Sequence, residues 1–300
     1  MPETLIERVV RRQSWLEPLS DFTQKLASGT YKVLGPMGPP LRNFMHGTWI
    51  LRHPLHPALT DIPIGAWTVG VVADYVAHFT ARIPESAGDI ALTIGLVVSL
   101  LTLGTGYTDF IDTFALERRF GCAHGMLMST VVLVYASSFF LRWFGSESLH
   151  PLAVGLSTGG YALVLLGSWI GGHVVFGIGY NVNRSAFIES GPEDWTAAGS
   201  ASAVPGEGMI LVEVGGMKVM LARDQGKICA LSDICTHAGG PLHEGTLSNG
   251  VVTCPWHASR FRVRDGHTLG GPATMDLPQL LVRETDGQVQ VKLTEKLHEP

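Results

Sequence analysis

Four stretches of the chain are almost wholly apolar: Ile62–Thr80, Ile90–Tyr107, Ala123–Arg142 and Leu152–Gly171. As helices rising 1.5 Å per residue, each reaches roughly 30 Å, the thickness of a bilayer's hydrocarbon core. Short charged loops divide them. Trp67, Trp143 and Trp169 suit the membrane–water interface, and repeated glycines (Gly95, Gly104, Gly106, Gly155, Gly159, Gly160) suit close helix contacts in lipid. A large buried helical core is the alternative; four such windows in succession favour membrane spans. Ahead of them, residues 3–34 alternate apolar positions (Leu5, Ile6, Val9, Val10) with basic ones (Arg8, Arg11, Arg12). This predicts either an amphipathic helix at the membrane surface or an ordinary solvated helix.

The pattern changes after the fourth window. Residues 183–205 are rich in Gly, Pro, Ser and Ala and read as a linker. From about Trp195 onward the period is that of strands. Met209–Val214 and Met217–Ala222 flank Gly215-Gly216, and Leu280–Glu284 and Gln288–Leu293 flank Asp286-Gly287. Both are hairpin signals. Arg260–Arg264 before Asp265-Gly266 predicts one more strand. The expected organisation is an N-terminal amphipathic segment (1–48), a four-span domain (49–182), the linker (183–205) and an antiparallel β domain (195–297). No long internal repeat stands out.

Composition sharpens this division. Only 16% of the 300 residues are charged and the mean hydropathy is +0.23, against about 25% charged in soluble domains. Inside the four windows the formal charges are Asp74 and, at an end, Arg142. A carboxylate within a span is either a functional group or one held by a partner. Residues 1–60 carry seven Lys and Arg against four Asp and Glu, and Arg118 and Arg119 lie in the loop on the same side. The positive-inside rule therefore places both termini in the cytoplasm and the chain in the cell membrane as a multi-pass protein. No cleavable signal peptide is visible, and no apolar segment follows Arg11-Arg12 closely enough for a twin-arginine signal. The acidic tail disfavours nucleic acid, and no G-x-G-x-x-G follows a strand, which disfavours nicotinamide nucleotides.

The tail carries the clearest chemistry. Cys235-Thr236-His237 is followed, after sixteen residues, by Cys254-Pro255-Trp256-His257. Two loops each offer one thiolate and one imidazole, and the Cys-x-His opening is wrong for a zinc finger. Together with Ala238-Gly239-Gly240-Pro241-Leu242, Ala258-Ser259-Arg260-Phe261 and Gly271-Pro272-Ala273, this text resembles the Rieske [2Fe–2S] family. The resemblance implies that Cys235 and Cys254 bind one iron of a single cluster and that His237 and His257 bind the other, more exposed iron. It also implies that the segment around Pro272 covers the cluster and that Ser259 can hydrogen-bond it. Respiratory Rieske proteins carry a further disulfide; the matching positions here are Gly240 and Trp256, as suits a reducing compartment. The tyrosine of high-potential relatives is Phe261, so a lower-potential, ferredoxin-like centre is expected. Only His267 and His298 follow His257, too few for the mononuclear iron of a Rieske oxygenase.

The fold expected is thus a multi-domain membrane protein, an all-α four-helix transmembrane bundle followed by an all-β Rieske iron–sulfur domain. Residues 50–182 resemble an uncharacterised bacterial four-helix membrane family in Leu55-His56-Pro57-Ala58-Leu59-Thr60-Asp61-Ile62-Pro63, Gly106-Tyr107-Thr108-Asp109-Phe110 and Gly171-Gly172-His173. Topology gathers His56, Asp61, Asp109, His124 and His173 at the side of the bundle that carries the tail. They form a haem b, metal or quinone site (His124 with His56 or His173 for haem), or else they cap helix ends and bond one another. The function expected is a membrane-bound one-electron carrier between an unidentified donor and acceptor, a ferredoxin reductase, quinone or oxygenase among them. Transfer would pass through the exposed edges of His237 and His257. A quinone- or haem-linked oxidoreductase and an iron–sulfur redox sensor are the alternatives.

Overall fold

A computed structural model describes residues 4–49, 51–188 and 190–294. Residues 295–297 of the expected β domain, and His298, lie outside the described residues. The chain divides into two units, one made of the N-terminal region to Leu41 with Leu55–Ile178, the other of Arg42–Pro54 with the chain from Gly179 onward.

The first unit is helical. The described part of the stretch 3–34, from Thr4 onward, forms two helices rather than one, α1 (Leu5–Arg11) and α2 (Leu16–Val33). A capping box starts α1, with Thr4 accepting from the Glu7 N–H and Glu7 accepting from the Thr4 N–H. A short α3 (Gly38–His46) follows. The four apolar windows lie in α4 (Leu55–Thr80), α5 (Ser86–Phe110), α6 (Ala115–Phe144) and α7 (His150–Gly172), each longer than its window. All four are long and apolar enough to cross a membrane. Arg118 and Arg119 bind Glu17 and Asp21, tying α6 to α2. Beside them Val10, Leu16, Phe110, Phe120 and Cys122 form a small buried cluster.

The four long helices contain a repeat that the sequence hides. His56, Trp67 and Asp74 of α4 recur in α6 as His124, Tyr135 and Arg142, at a constant offset of 68 positions. In the second helix of each pair, Thr102, Gly95 and Gly106 of α5 correspond to Gly167, Gly160 and Gly171 of α7 at a constant offset of 65 positions. Equivalent residues meet each other. The His56 and His124 rings are 6.3 Å apart. Trp67 and Tyr135 stack at 4.0 Å with 4° between their planes. Arg142 donates to Asp74 at 2.6 Å. Each ring also rests on its own hairpin's glycine: Trp67 on Gly95, Tyr135 on Gly160, His56 on Gly106, His124 on Gly171. The unit is therefore two copies of one helical hairpin about an approximate two-fold. The expectation of no internal repeat is corrected: at the facing positions the histidine is kept, Trp67 is matched by another aromatic, and Asp74 is matched by its counter-charge.

Asp74 is the paired carboxylate of the two alternatives. Its side chain and that of Arg142 are almost fully buried, and Arg142 also reaches Asp89 and Ser157. One guanidinium thus joins all four helices.

The second unit holds two antiparallel sheets, ordered β1-β10-β9-β4-β3-β2 and β5-β6-β7-β8. In the first, β1 is Thr196–Ser200, β2 Met209–Val214, β3 Met217–Asp224, β4 Lys227–Ser232, β9 Gln279–Thr285 and β10 Gln288–Leu293. In the second, β5 is Thr246–Ser248, β6 Val251–Thr253, β7 Arg260–Arg262 and β8 Thr268–Gly270. Both expected hairpins form; Gly215, Gly216, Asp286 and Gly287 all take positive φ, as a two-residue turn of the right twist requires. The strand expected over Arg260–Arg264 stops at Arg262, whose guanidinium turns back onto Asp265. The stretch 183–205 is less of a linker than its composition suggests, since β1 pairs along β10. Residues 42–54, expected to divide between the N-terminal segment and the span domain, fold with the β unit instead.

Candidate metal centre

The two Cys–His loops are built alike. In the first, the Cys235 N–H donates to Gly240 O and the Gly239 N–H to Cys235 O. In the second, the Cys254 N–H donates to Ser259 O and the Ala258 N–H to Cys254 O. Each turn needs a left-handed residue at the same place, Gly239 (φ 84°) in one and Ala258 (φ 58°) in the other. The buried Asp233 secures the first loop from behind, accepting from the His243 N–H at 2.8 Å and lying 2.8 Å from its Nδ1.

These loops bring the four sequence-predicted residues together. His237 Nδ1 and His257 Nδ1 are 3.2 Å apart. Two nitrogens held at 2.0–2.1 Å by one tetrahedral ion would lie about 3.3 Å apart. The thiols of Cys235 and Cys254 lie close enough to interact. That contact and burial push Cys235 well up, while the same contact and the N–H groups of Trp256 and His257 pull Cys254 down to about 7. The N–H groups of His237 and Ala238 point at Cys235 in the same way. Two sulfurs ringed by N–H donors, next to two converged imidazole nitrogens, form a donor set able to hold a sulfur-bridged pair of irons.

The surroundings differ from expectation at one point. His237 and His257 are only 2% and 7% exposed, so their edges do not meet solvent. Tyr180 lies edge-on to His237, ring centres 5.2 Å apart, and Trp256 edge-on to His257 at 6.4 Å. Trp256 is itself 48% exposed. It also packs against Gly240. All four cysteines are free thiols.

Ser259 is fully buried and its Oγ accepts from the Ala273 N–H at 3.1 Å, which fastens the loop containing Pro272 to the second ligand loop. That loop has a second fastening which the sequence did not reveal. Thr48 Oγ1 donates to Gly271 O (2.9 Å) and lies 3.2 Å from Ala273 O, while Asn43 Oδ1 accepts from the Gly271 N–H. Arg52 pairs with Asp276. Burial works to raise the Asp276 carboxyl, but Arg52 and the Thr268 N–H outweigh it and hold it below its usual value. The pair is accordingly in force above the ordinary carboxylate range and is lost as pH falls through that lowered value. Residues 42–54 thus strap the proline loop. Thr48→Val removes the hydroxyl donor from two carbonyls, at about 1–3 kcal/mol. The expected result is a several-fold faster bleaching of the cluster's visible absorbance under an iron chelator; an unchanged rate would discount the strap.

The helical candidates divide. His56 Nδ1 sits 3.0 Å from Thr102 O and His124 Nδ1 3.0 Å from Gly167 O, with the two rings facing. His173 does not join them; it lies against Phe120 and within 3.6 Å of Glu7, so the pairing of His124 with His173 does not form. Asp109 is buried near the end of α5, and Asp61 is exposed on α4. Neither is placed by a hydrogen bond to either histidine.

Comparison with known proteins gives two family matches, "Predicted membrane protein (DUF2231)" over residues 52–184 and "Rieske [2Fe-2S] domain" over residues 194–281. Ferredoxin CarAc of Metapseudomonas resinovorans is 33% identical over 98 residues, 32% of this chain and 92% of that protein. The ferredoxin component of the naphthalene 1,2-dioxygenase/salicylate 5-hydroxylase systems of a Ralstonia species is 29% identical over 101 residues, 34% of this chain and 97% of that protein. Apoptosis-inducing factor 3 of Homo sapiens is 36% identical over 85 residues, 28% of this chain, and the match spans only 14% of that protein's length.

Proposed function

The chain belongs through its β unit to the Rieske [2Fe–2S] family, behind a DUF2231 predicted membrane domain, and from this we propose that it is a membrane-bound one-electron carrier. The cluster implied by the family supplies a centre that takes up and releases one electron. Cys235 and Cys254 hold one iron and His237 and His257 the other. The observation that carries this reading is the meeting of His237 with His257 and of Cys235 with Cys254 in two buried loops, in a chain that also has four helices fit to cross a bilayer.

The chain's own residues set the terms of transfer. N–H groups on both thiolates favour added negative charge and so raise the potential, whereas Phe261, buried in the same core, brings no hydroxyl to add to them. With His237 shielded by Tyr180, electrons pass to a partner by way of Trp256, the exposed aromatic beside His257. The basic N-terminal region and the Arg118–Arg119 pair support a cytoplasmic β unit under the positive-inside rule. The ferredoxin component from Ralstonia favours a reductase as donor and an oxygenase as acceptor.

Electron paramagnetic resonance of the dithionite-reduced protein, with redox titration, tests the reading. The expected result is a Rieske signal that appears on reduction, with a midpoint near the low end of the family's range, about −150 mV. Absence of the signal in iron-loaded protein overturns the carrier; a midpoint near +300 mV overturns the low-potential form.

A further inference from the structure

The approximate two-fold of the helical unit brings two equivalent histidines together, their ring centres 6.3 Å apart and their planes at 78°. Such a pair has a plain structural explanation for Asp74 and Arg142, which neutralise each other, and for Trp67 and Tyr135, which stack. Two imidazoles share neither motive.

Three details of the pair point one way. A carbonyl can only accept, so each Nδ1 carries the proton, donated to Thr102 O in one hairpin and to Gly167 O in the other. Each Nε2 is left with its in-plane lone pair. A ligating histidine is held in this same manner, its other ring N–H given to a backbone carbonyl or carboxylate. The separation also fits. A ring centre lies about 3.2 Å from an ion held by its nitrogen at 2.0–2.1 Å, so two rings across one ion stand up to about 6.4 Å apart, against 6.3 Å here. Finally, both rings occupy space that only glycine leaves open. A Cβ on Gly106 would sit 2.8 Å from His56 Cε1, and one on Gly171 3.0 Å from His124 Cε1. The hairpin duplication has kept both the ring and its seat.

We propose that His56 and His124 are the two protein ligands of one first-row transition-metal centre on the two-fold of the helical unit. The shared chemistry is a metal taking two imidazole nitrogens across it, supplied either by a bare ion such as copper or zinc or by the iron of a haem. Among the described residues no third His, Cys, Asp or Glu completes a cluster with them. The proposal is independent of the electron-carrier reading, since it concerns residues of the other unit.

The test uses the full chain in detergent micelles. Metal content is measured against the two irons of the cluster, and protein stripped of the extra metal is titrated with Cu(I), Zn(II) and haemin in turn. One equivalent beyond the cluster irons is expected. A Soret band with haemin identifies the haem source; uptake of copper or zinc without one identifies the bare ion. His56→Gln and His124→Gln are each expected to weaken that uptake at least tenfold, and His173→Gln to leave it unchanged. The cluster's resonance signal, retained in all three, reports a folded chain. Gly171→Ala keeps both ligands but crowds His124, and is expected to weaken the same uptake even if a histidine variant fails to fold. The proposal is overturned if none of the three probes binds stoichiometrically, or if binding is the same in the histidine and Gly171→Ala variants as in the wild type.

Discussion

Replacing His257 with alanine is expected to abolish the visible and resonance spectrum of the cluster while the chain still folds. His257 Nδ1 and His237 Nδ1 face the same point at 3.2 Å from each other. Removing one leaves an iron with a single protein ligand in a buried pocket that offers no substitute donor. The same loss is expected of Cys235→Ser and Cys254→Ser, because a serine hydroxyl does not ionise near neutral pH, whereas the Cys254 thiol already titrates near 7. Cys229→Ser is the control. Cys229 lies on β4, outside both ligand loops, so its replacement should leave the spectrum at full intensity. Fold is followed by far-ultraviolet circular dichroism. An unchanged cluster in His257→Ala would refute the ligand assignment outright.

The difference between what could be read from the sequence and what could not follows the physics of each feature. The ligand set was legible because metal chemistry fixes residue type and spacing within one short loop, and both loops keep it. The two hairpins of the first sheet were legible because Gly215-Gly216 and Asp286-Gly287 mark a left-handed turn between alternating strands. The spans were legible because charge is costly in lipid. By contrast, Asn43, Thr48 and Arg52 are ordinary polar residues in an ordinary segment. Nothing in their neighbours indicates that the strand partner is a loop more than two hundred positions away. The shielding of His237 depends likewise on Tyr180, which precedes the domain in the chain. The duplication was hidden for another reason. Trp for Tyr, and Asp for Arg, are poor matches as letters, yet each pair occupies equivalent positions facing across the two-fold. Of the three facing pairs only the histidines match as letters, so identity along the offset of 68 positions gives little sign of the repeat.

The pairing across that two-fold also gives the largest stability effect expected in the helical unit. Arg142→Met leaves Asp74 buried without its counter-charge and Asp89 without its partner. Breaking a buried ion pair from one side costs about 3–5 kcal/mol, because the remaining charge keeps its desolvation penalty and loses what offset it. Asp74→Asn should cost less, since Arg142 retains Asp89 at 2.7 Å and Ser157 at 3.1 Å. Removing both members is a different matter. In Asp74→Met with Arg142→Met the charges and their desolvation leave together, two flexible thioethers fill the space, and most of the lost stability should return. The measurement is thermal loss of the monodisperse species in detergent for wild type, the two single variants and the double. If Arg142→Met unfolds at the wild-type temperature, or if the double variant is no more stable than Arg142→Met alone, the guanidinium does not join the four helices in the way its hydrogen bonds indicate. Recovery in the double variant would show that the ion pair selects this arrangement of the two hairpins more than it strengthens it.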